Sequence, residues 1–371
     1  MRRVGIIGAG LAGMACARQL RDQGFDGEIC VFNGEPDAPY EKPGLSKGRI
    51  GCDLPTAIPL PEVTMTGAAL SVDAGARRID SVSGPSAPFD AILLAPGRVP
   101  VLVPGLEGAL TCRTRADVRA LRARLTPKAQ VVIVGAGLIG MELAAALAPE
   151  VAQVTVVEAG SRAMARVVPE AIAAVMVARL EAAGVALRFG ETLDSLSDGQ
   201  GGMRSGARLP ADIVILAIGA APDLRLARAA GLVTRREGIV VGPDMRASAA
   251  GILAAGDAAC VEDRGQVLAC QNYAAARAMG IAAAETMLGR PSRWKPDSWF
   301  WSDQGDVTLE GVGSPEGQAE VTTHPDGGLS VAVTQADRLV GQFAAGSRKA
   351  LRSVRKARAT LDAPLPEGAP A

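Results

Sequence analysis

Aromatic side chains are scarce in this chain: six Phe, three Trp and two Tyr in 371 residues, 3% of the total. So few rings leave little on which successive bases could stack, which argues against single-stranded nucleic acid as a ligand. Net charge is absent as well, with 39 basic against 39 acidic residues, so no global field points to nucleic acid or a membrane surface. His324 is the single histidine and sits in a His-Pro-Asp-Gly turn. No Ser-His or Cys-His pair suggests itself, which argues against hydrolytic chemistry. Six cysteines, at 16, 30, 52, 112, 260 and 270, form no C-x-x-C, so neither a zinc site nor a redox dithiol is written here and no metal is expected. Buried free thiols behave as small hydrophobes. Cys52 alone is a candidate for thiol chemistry. A clean membrane span is missing too. Val131 to Ala148 has the length and apolarity, but it contains Glu142 and the glycines of a turn, which fit a strand-turn-helix instead. The start, Met1-Arg2-Arg3, runs straight into a strand without a cleavage-like site, and a cytoplasmic protein is expected.

What is present in abundance is glycine, 44 residues, and twice it falls into the same pattern. Gly8-Ala9-Gly10-Leu11-Ala12-Gly13 follows the apolar strand Val4 to Ile7, and Gly135-Ala136-Gly137-Leu138-Ile139-Gly140 follows Val131 to Val134. Each leads into an alanine-rich helix. In G-x-G-x-x-G the first glycine makes the tight turn and the second lets backbone approach a pyrophosphate. The third packs the helix on its strand, and the helix N-terminus faces the phosphates. One such loop is weak evidence; two with an acid beyond the next strand are strong. Glu158 closes the strand Val154 to Val157, where a carboxylate can accept from both ribose hydroxyls and repels a 2′-phosphate, so NADH is expected over NADPH. Arg162 and Arg166 follow closely. Glu35, after the strand Glu28 to Phe32, is the expected ribose acid for the adenosine of FAD. Two dinucleotides in one chain suggest electron transfer from a nicotinamide to a flavin.

The order of elements predicts an α/β fold with two Rossmann-like dinucleotide-binding domains. The FAD domain (1–107 and 230–292) is interrupted by an NAD domain (108–229), and a small α+β C-terminal domain (293–371) follows. Strand Asp90 to Leu94 runs into Ala95-Pro96-Gly97, a helix is expected over Ala116 to Leu125, and strand Ile213 to Ile218 ends at Gly219. Gly256-Asp257 precedes a long alanine-rich helix from Tyr273, then short strands and a basic final helix.

Pro39-Tyr40-Glu41-Lys42-Pro43-Gly44-Leu45-Ser46-Lys47, the two glycine loops, Ala255-Gly256-Asp257 and Trp299-Phe300-Trp301-Ser302-Asp303-Gln304 occur in that order. In these motifs the chain resembles the oxygenase-coupled NADH-dependent ferredoxin reductases: the FAD reductases of Rieske dioxygenases, used in aromatic degradation, and the putidaredoxin and rubredoxin reductases. At longer range it is similar to apoptosis-inducing factor and the glutathione-reductase superfamily. The resemblance covers nearly the whole chain. It implies an NADH:ferredoxin oxidoreductase in which FAD passes electrons to a [2Fe-2S] ferredoxin serving an oxygenase. Residue by residue it places Lys47 by the flavin N5 edge and Glu142 near the nicotinamide amide. Without it, Glu142 is already an odd acid on an apolar helix, one that calls for a partner. The resemblance sets Asp257 on the ribityl chain, and Trp301 and Tyr273 as aromatic faces of the cofactor site. The FAD set is then Gly8, Gly10, Leu11, Ala12, Gly13, Glu35, Lys42, Lys47, Ala95, Gly97, Gly256, Asp257, Tyr273 and Trp301. The NAD set is Gly135, Gly137, Leu138, Ile139, Gly140, Glu142, Glu158 and Gly219.

The chain departs from the family at Pro96, where Thr is usual, at Gln271, where an acid is usual, at Gly44, where a second proline is frequent, and at Tyr273, where a Trp stacks. Stacking at Tyr273 is therefore expected to be weaker. The final helix carries Arg348, Lys349, Arg352, Arg355, Lys356 and Arg358 and no acid from 348 to 358. Leu351 and Val354 are expected inward and the cations outward, as a steering surface for an acidic ferredoxin. A monomer or homodimer is expected. Two alternatives are an NADH oxidase or peroxidase acting through Cys52, and an NADH-sensing flavoprotein resembling apoptosis-inducing factor.

Overall fold

Both glycine loops form the strand-turn-helix that their spacing demands. The computed structural model describes residues 1–51 and 56–361, and within these the chain folds as two compact units. The first comprises 1–42, 56–99 and 220–298, and the second 43–51, 100–219 and 299–361.

In the first unit a five-stranded parallel sheet runs in the order Ile252–Ala254, Ala91–Leu94, Arg3–Ile7, Glu28–Phe32, Thr64–Thr66. Its central strands are covered on both faces, so they read as apolar runs: Val4, Ile6, Ile29, Val31, Ile92 and Leu93 are all buried. The helix Leu11–Asp22 lies beside the long helix Tyr273–Met287, and small residues set how closely. A Cβ on Gly280 would stand 2.2 Å from the carbonyl oxygen of Ala12, so only glycine fits at that crossing.

The second unit repeats the plan. Its parallel sheet runs Ala186–Phe189, Gln153–Glu158, Gln130–Val134, Ile213–Leu216, Leu110–Thr111. The helix expected over Ala116 to Leu125 is found at Arg115–Arg124, started by a capping box in which Thr114 and Asp117 satisfy each other's backbone N–H. The same unit holds a five-stranded antiparallel sheet in the order Phe300–Gln304, Val307–Gly313, Arg338–Ala345, Leu329–Gln335, Gln318–Thr323. The terminal helix Arg348–Leu361 closes it, burying Ala350, Leu351, Val354 and Ala357 with Val312 and Ala344. Its inward face is thus the expected one, extended by Ala350 and Ala357. Among the described residues no helix is long and apolar enough to cross a membrane.

Candidate active site

In the first unit Gly8 has φ +102°, and a Cβ there would stand 2.1 Å from the Ala95 carbonyl oxygen. A Cβ on Gly13 would stand 2.0 Å from the Gly8 carbonyl oxygen, while one on Gly10 would meet nothing within 4 Å. First and third glycines are thus demanded by the protein itself, and the open space at the second fits the approach of a phosphate group. Gly10 caps the helix without a side-chain hydrogen bond, leaving the first-turn N–H groups for an anion. Ala95 donates its N–H to Ile7, and Gly97 takes φ +75°. Gly256 (φ +73°) comes so close to Ala12 that a Cβ would stand 2.9 Å from the Ala12 side chain, which brings Asp257 to the same helix.

Glu35 is already engaged, accepting from the Tyr40 hydroxyl at 2.5 Å and from Lys42 Nζ at 2.5 Å. A carboxylate has about four acceptor sites, so each oxygen retains room for a further donor. Strand register adds a residue that sequence reading overlooked. Phe32 lies level with Ile7, as Val157 does with Val134, so Asn33 rather than Glu35 stands at the position Glu158 occupies in the second unit. Asn33 accepts from the Glu35 N–H at 3.2 Å and donates to the Asp37 carbonyl at 2.9 Å, fixing the turn that carries Glu35. Tyr273 opens its helix beside the capping residue Asn272, and its hydroxyl donates to Glu41 Oε1 at 2.6 Å. Burial, with Glu41 second, pushes the Tyr273 phenol up to about 12.

In the second unit Gly135 has φ +105°, and a Cβ there would stand 2.6 Å from the Ala217 carbonyl oxygen. Gly137 and Gly219 both face open space. Glu158 accepts from the loop N–H of Ala136 at 2.8 Å and of Gly160 at 2.7 Å, which ties the acid to the glycine turn. Arg162 turns its guanidinium to the carbonyls of Ala163 (3.2 Å) and Ala165 (2.9 Å), so its donors serve its own segment. Arg166 is exposed.

Glu142 is the feature around which this unit's polar interior is arranged. Helix Leu138–Leu147 is otherwise apolar, yet it carries this carboxylate at 4% exposure. An isolated buried carboxylate costs several kcal/mol in lost hydration, so it must be filled with donors. Three supply it. Lys47 Nζ lies 2.8 Å from Oε1, the Ser302 hydroxyl donates to Oε1 at 2.6 Å, and the Ser46 hydroxyl donates to Oε2. Behind Ser302, Gln304 Nε2 donates to the Ser302 oxygen at 3.2 Å. A cavity of about 450 Å³ opens beside Lys47, Glu142 and Asp303. Lys47 and Glu142, paired on paper, are thus paired in space; Tyr273, grouped with them, belongs to the first unit.

Ser46, Ser302 and Gln304 were missed as individuals, although both motifs that contain them were singled out. The available signal was the alternation of strand Phe300–Gln304, where Ser302 and Gln304 share one face and are both buried. Trp301 faces away from them and stacks on Trp299, centroids 5.3 Å apart at 21°. Arg358 lies over the Trp299 ring at 4.6 Å.

On the terminal helix, Arg348, Lys349, Arg352 and Lys356 are exposed as expected. Arg355 is exposed as well, and it has a partner. Its guanidinium reaches Glu310, a residue 2% exposed, at 2.7 Å, because that buried acid requires a counter-charge. Cys52 lies outside the described residues. Cys112, half-buried, donates weakly to the Leu45 carbonyl at 3.6 Å, and burial pushes its thiol up to about 12.

Residues 2–280 match the family model of pyridine nucleotide-disulphide oxidoreductases, and residues 299–367 match the reductase C-terminal domain. The rubredoxin-NAD(+) reductase of Pseudomonas putida is 33% identical over 331 residues, covering 83% of this chain and 86% of that protein. The ferredoxin reductase for the CYP199A2 system from Rhodopseudomonas palustris superposes with a TM-score of 0.85 at 31% identity, over 93% of this chain and 91% of that one. Putidaredoxin reductase, in its covalent complex with putidaredoxin, gives a TM-score of 0.89 at 26% identity, over 97% and 93%.

Proposed function

The chain belongs to the pyridine nucleotide-disulphide oxidoreductase family, it is an oxidoreductase with FAD and NADH as its cofactors, and we propose that it delivers electrons from NADH to a [2Fe-2S] ferredoxin serving an oxygenase. The observation that carries this reading is the pairing of Lys47 with Glu142, a buried acid on the helix of the second glycine loop. Named relatives act on rubredoxin or belong to ferredoxin and putidaredoxin systems, which supports an iron-sulfur carrier as the partner.

Bound FAD supplies the step no side chain can, taking electrons as a hydride pair and releasing them singly. The residues bind and orient. Gly8, Gly10, Leu11, Ala12 and Gly13 take the FAD pyrophosphate at the helix N-terminus, with Glu35 on the adenosine ribose and Lys42 holding Glu35 in place. Ala95 and Gly97 line the flavin, Gly256 and Asp257 take the ribityl chain, and Tyr273 and Trp301 provide aromatic faces. Gly135, Gly137, Leu138, Ile139 and Gly140 take the NADH pyrophosphate, with Gly219 giving room. Glu158 accepts from the ribose hydroxyls and repels a 2′-phosphate, while Arg162 holds its guanidinium on the carbonyls of its own segment. Glu142 accepts from the nicotinamide amide, and Lys47 is assigned to the flavin N5 edge, so the pair aligns donor and acceptor.

Arg348, Lys349, Arg352 and Lys356 steer the acidic carrier, while Arg355 anchors the helix through Glu310. The setting is the cytoplasm, as monomer or homodimer. The test is rapid mixing of NADH-reduced enzyme with a [2Fe-2S] ferredoxin, a rubredoxin or oxygen. Reoxidation fastest with the ferredoxin, and slowed by salt, is expected. Equal or faster reoxidation by rubredoxin or by oxygen would contradict the assignment.

A further inference from the structure

The donors around Glu142 leave its carboxylate with a defined vacancy in hydrogen-bonding terms. Oε1 accepts from Lys47 Nζ at 2.8 Å and from the Ser302 hydroxyl at 2.6 Å, which fills both of its acceptor sites. Oε2 accepts from the Ser46 hydroxyl, which leaves one site on that oxygen.

The direction of the relay follows from chemistry. An ionised carboxylate accepts only, so the Ser302 hydroxyl must spend its single proton on Glu142. The Ser302 oxygen is then an acceptor toward Gln304, and it faces the Gln304 amide nitrogen at 3.2 Å. Met164 sulfur lies 3.6 Å from the same nitrogen, and the Gln304 carbonyl oxygen has no partner. Ser302 and Gln304 are 0% and 4% exposed, so neither proton has water to turn to. The donors arrive from two segments distant in sequence, 43–51 and strand Phe300–Gln304, and meet on one helix acid.

From this arrangement we infer that Ser302, backed by Gln304, is a positioning residue for the nicotinamide. It occupies Oε1 together with Lys47, locks the carboxylate plane, and reserves the last acceptor site on Oε2 for the amide N–H of the substrate ring. The inference rests on the proposed role of Glu142 and adds to it a residue that never touches the nucleotide. Ser46 takes the first site of Oε2 and completes the lock.

The test is calorimetric titration of the oxidised, FAD-loaded protein with NAD+ and with ADP-ribose, which shares every contact except the nicotinamide. Ser302→Ala is expected to weaken NAD+ about tenfold, the lower range for a hydrogen bond to a charged group, and to leave ADP-ribose unchanged. Ser302→Thr, which keeps the hydroxyl, is expected to restore NAD+ binding. Gln304→Leu is expected to shift NAD+ in the same direction by less, and serves in its place if Ser302→Ala loses its flavin or its melting temperature. Glu142→Gln separates this inference from the reading beneath it. If Glu142→Gln weakens NAD+ while Ser302→Ala and Gln304→Leu do not, the positioning role is wrong and the role of Glu142 stands. If Glu142→Gln leaves both ligands unchanged, the role of Glu142 fails and the inference goes with it. Equal weakening of NAD+ and ADP-ribose by Ser302→Ala, unrescued by threonine, would mean a merely structural hydroxyl.

Discussion

Gly10 and Gly137 adopt the same backbone, φ −76°, ψ −176° and φ −75°, ψ −176°, and Gly8 and Gly135 share positive φ values of +102° and +105°. The strands before them, the strands on either side and the helices after them follow one plan. The difference lies one turn further on. Counted from the first glycine, Ala15 of the first helix corresponds to Glu142 of the second. The loops themselves share one backbone geometry. A single helix position, supplied with donors by two other segments, sets the second loop apart from the first.

The largest way to break this comparison is at the shared turn. Gly8→Ala forces a Cβ into the Ala95 carbonyl and costs about 1–3 kcal/mol in backbone strain alone, and protein without flavin absorbance is expected. Gly135→Ala is expected to keep the flavin and lose NADH binding, which a flavin spectrum and an NADH titration would separate. Loss of flavin in both variants would mean the two loops do not have separate ligands.

Next comes the position that distinguishes them. Glu142→Ala and Lys47→Met are each expected to slow flavin reduction by NADH on the order of a hundredfold, the scale of a misaligned reacting pair, with flavin content intact. Stopped-flow bleaching of the flavin absorbance reads it. Ala15→Gly, the control at the matching site, is expected to leave that rate within about twofold.

A smaller effect belongs to the terminal helix. Arg352→Glu with Lys356→Glu is expected to slow ferredoxin reduction about tenfold at low salt, the difference vanishing at high salt, while NADH-to-dye activity is unchanged. Arg355→Glu is expected instead to lower the melting temperature, because it leaves Glu310 buried without its counter-charge.

The smallest concerns Tyr273. Its phenol ordinarily titrates near 10 and is pushed up to about 12 here, so the fold favours the neutral form. That stabilisation is complete below pH about 10 and is lost as pH rises toward 12. In a Tyr40→Phe background, tyrosinate absorbance is expected to stay flat to pH about 11; a transition near 10 would show the ring is not held as described.

Much of this was legible before any coordinates. Glycine spacing and apolar runs declare both Rossmann-like units because the close approaches at Gly8, Gly13, Gly135 and Gly140 admit no Cβ. Lys47 and Glu142 were legible as a pair through the motifs that carry them, and the inward face of the terminal helix through its period. What stayed hidden depends on contacts between distant segments. Ser46 and Ser302 are ordinary serines until the fold aims both at one carboxylate. Asn33 is an ordinary turn residue until strand register gives it, in the first unit, the position that Glu158 holds in the second. Arg355 stays exposed while its guanidinium reaches the buried acid Glu310, and nothing in the helix period says that an exposed cation has a partner on the sheet.

The most direct test of the central claim is an anaerobic titration of the purified holoprotein, followed by its flavin absorbance and by NADH consumption. The account predicts one FAD per chain and complete bleaching by one equivalent of NADH, with NADPH far slower. A protein that binds one dinucleotide only, or a flavin that NADH fails to bleach, would contradict the assignment of the two glycine loops to two cofactors.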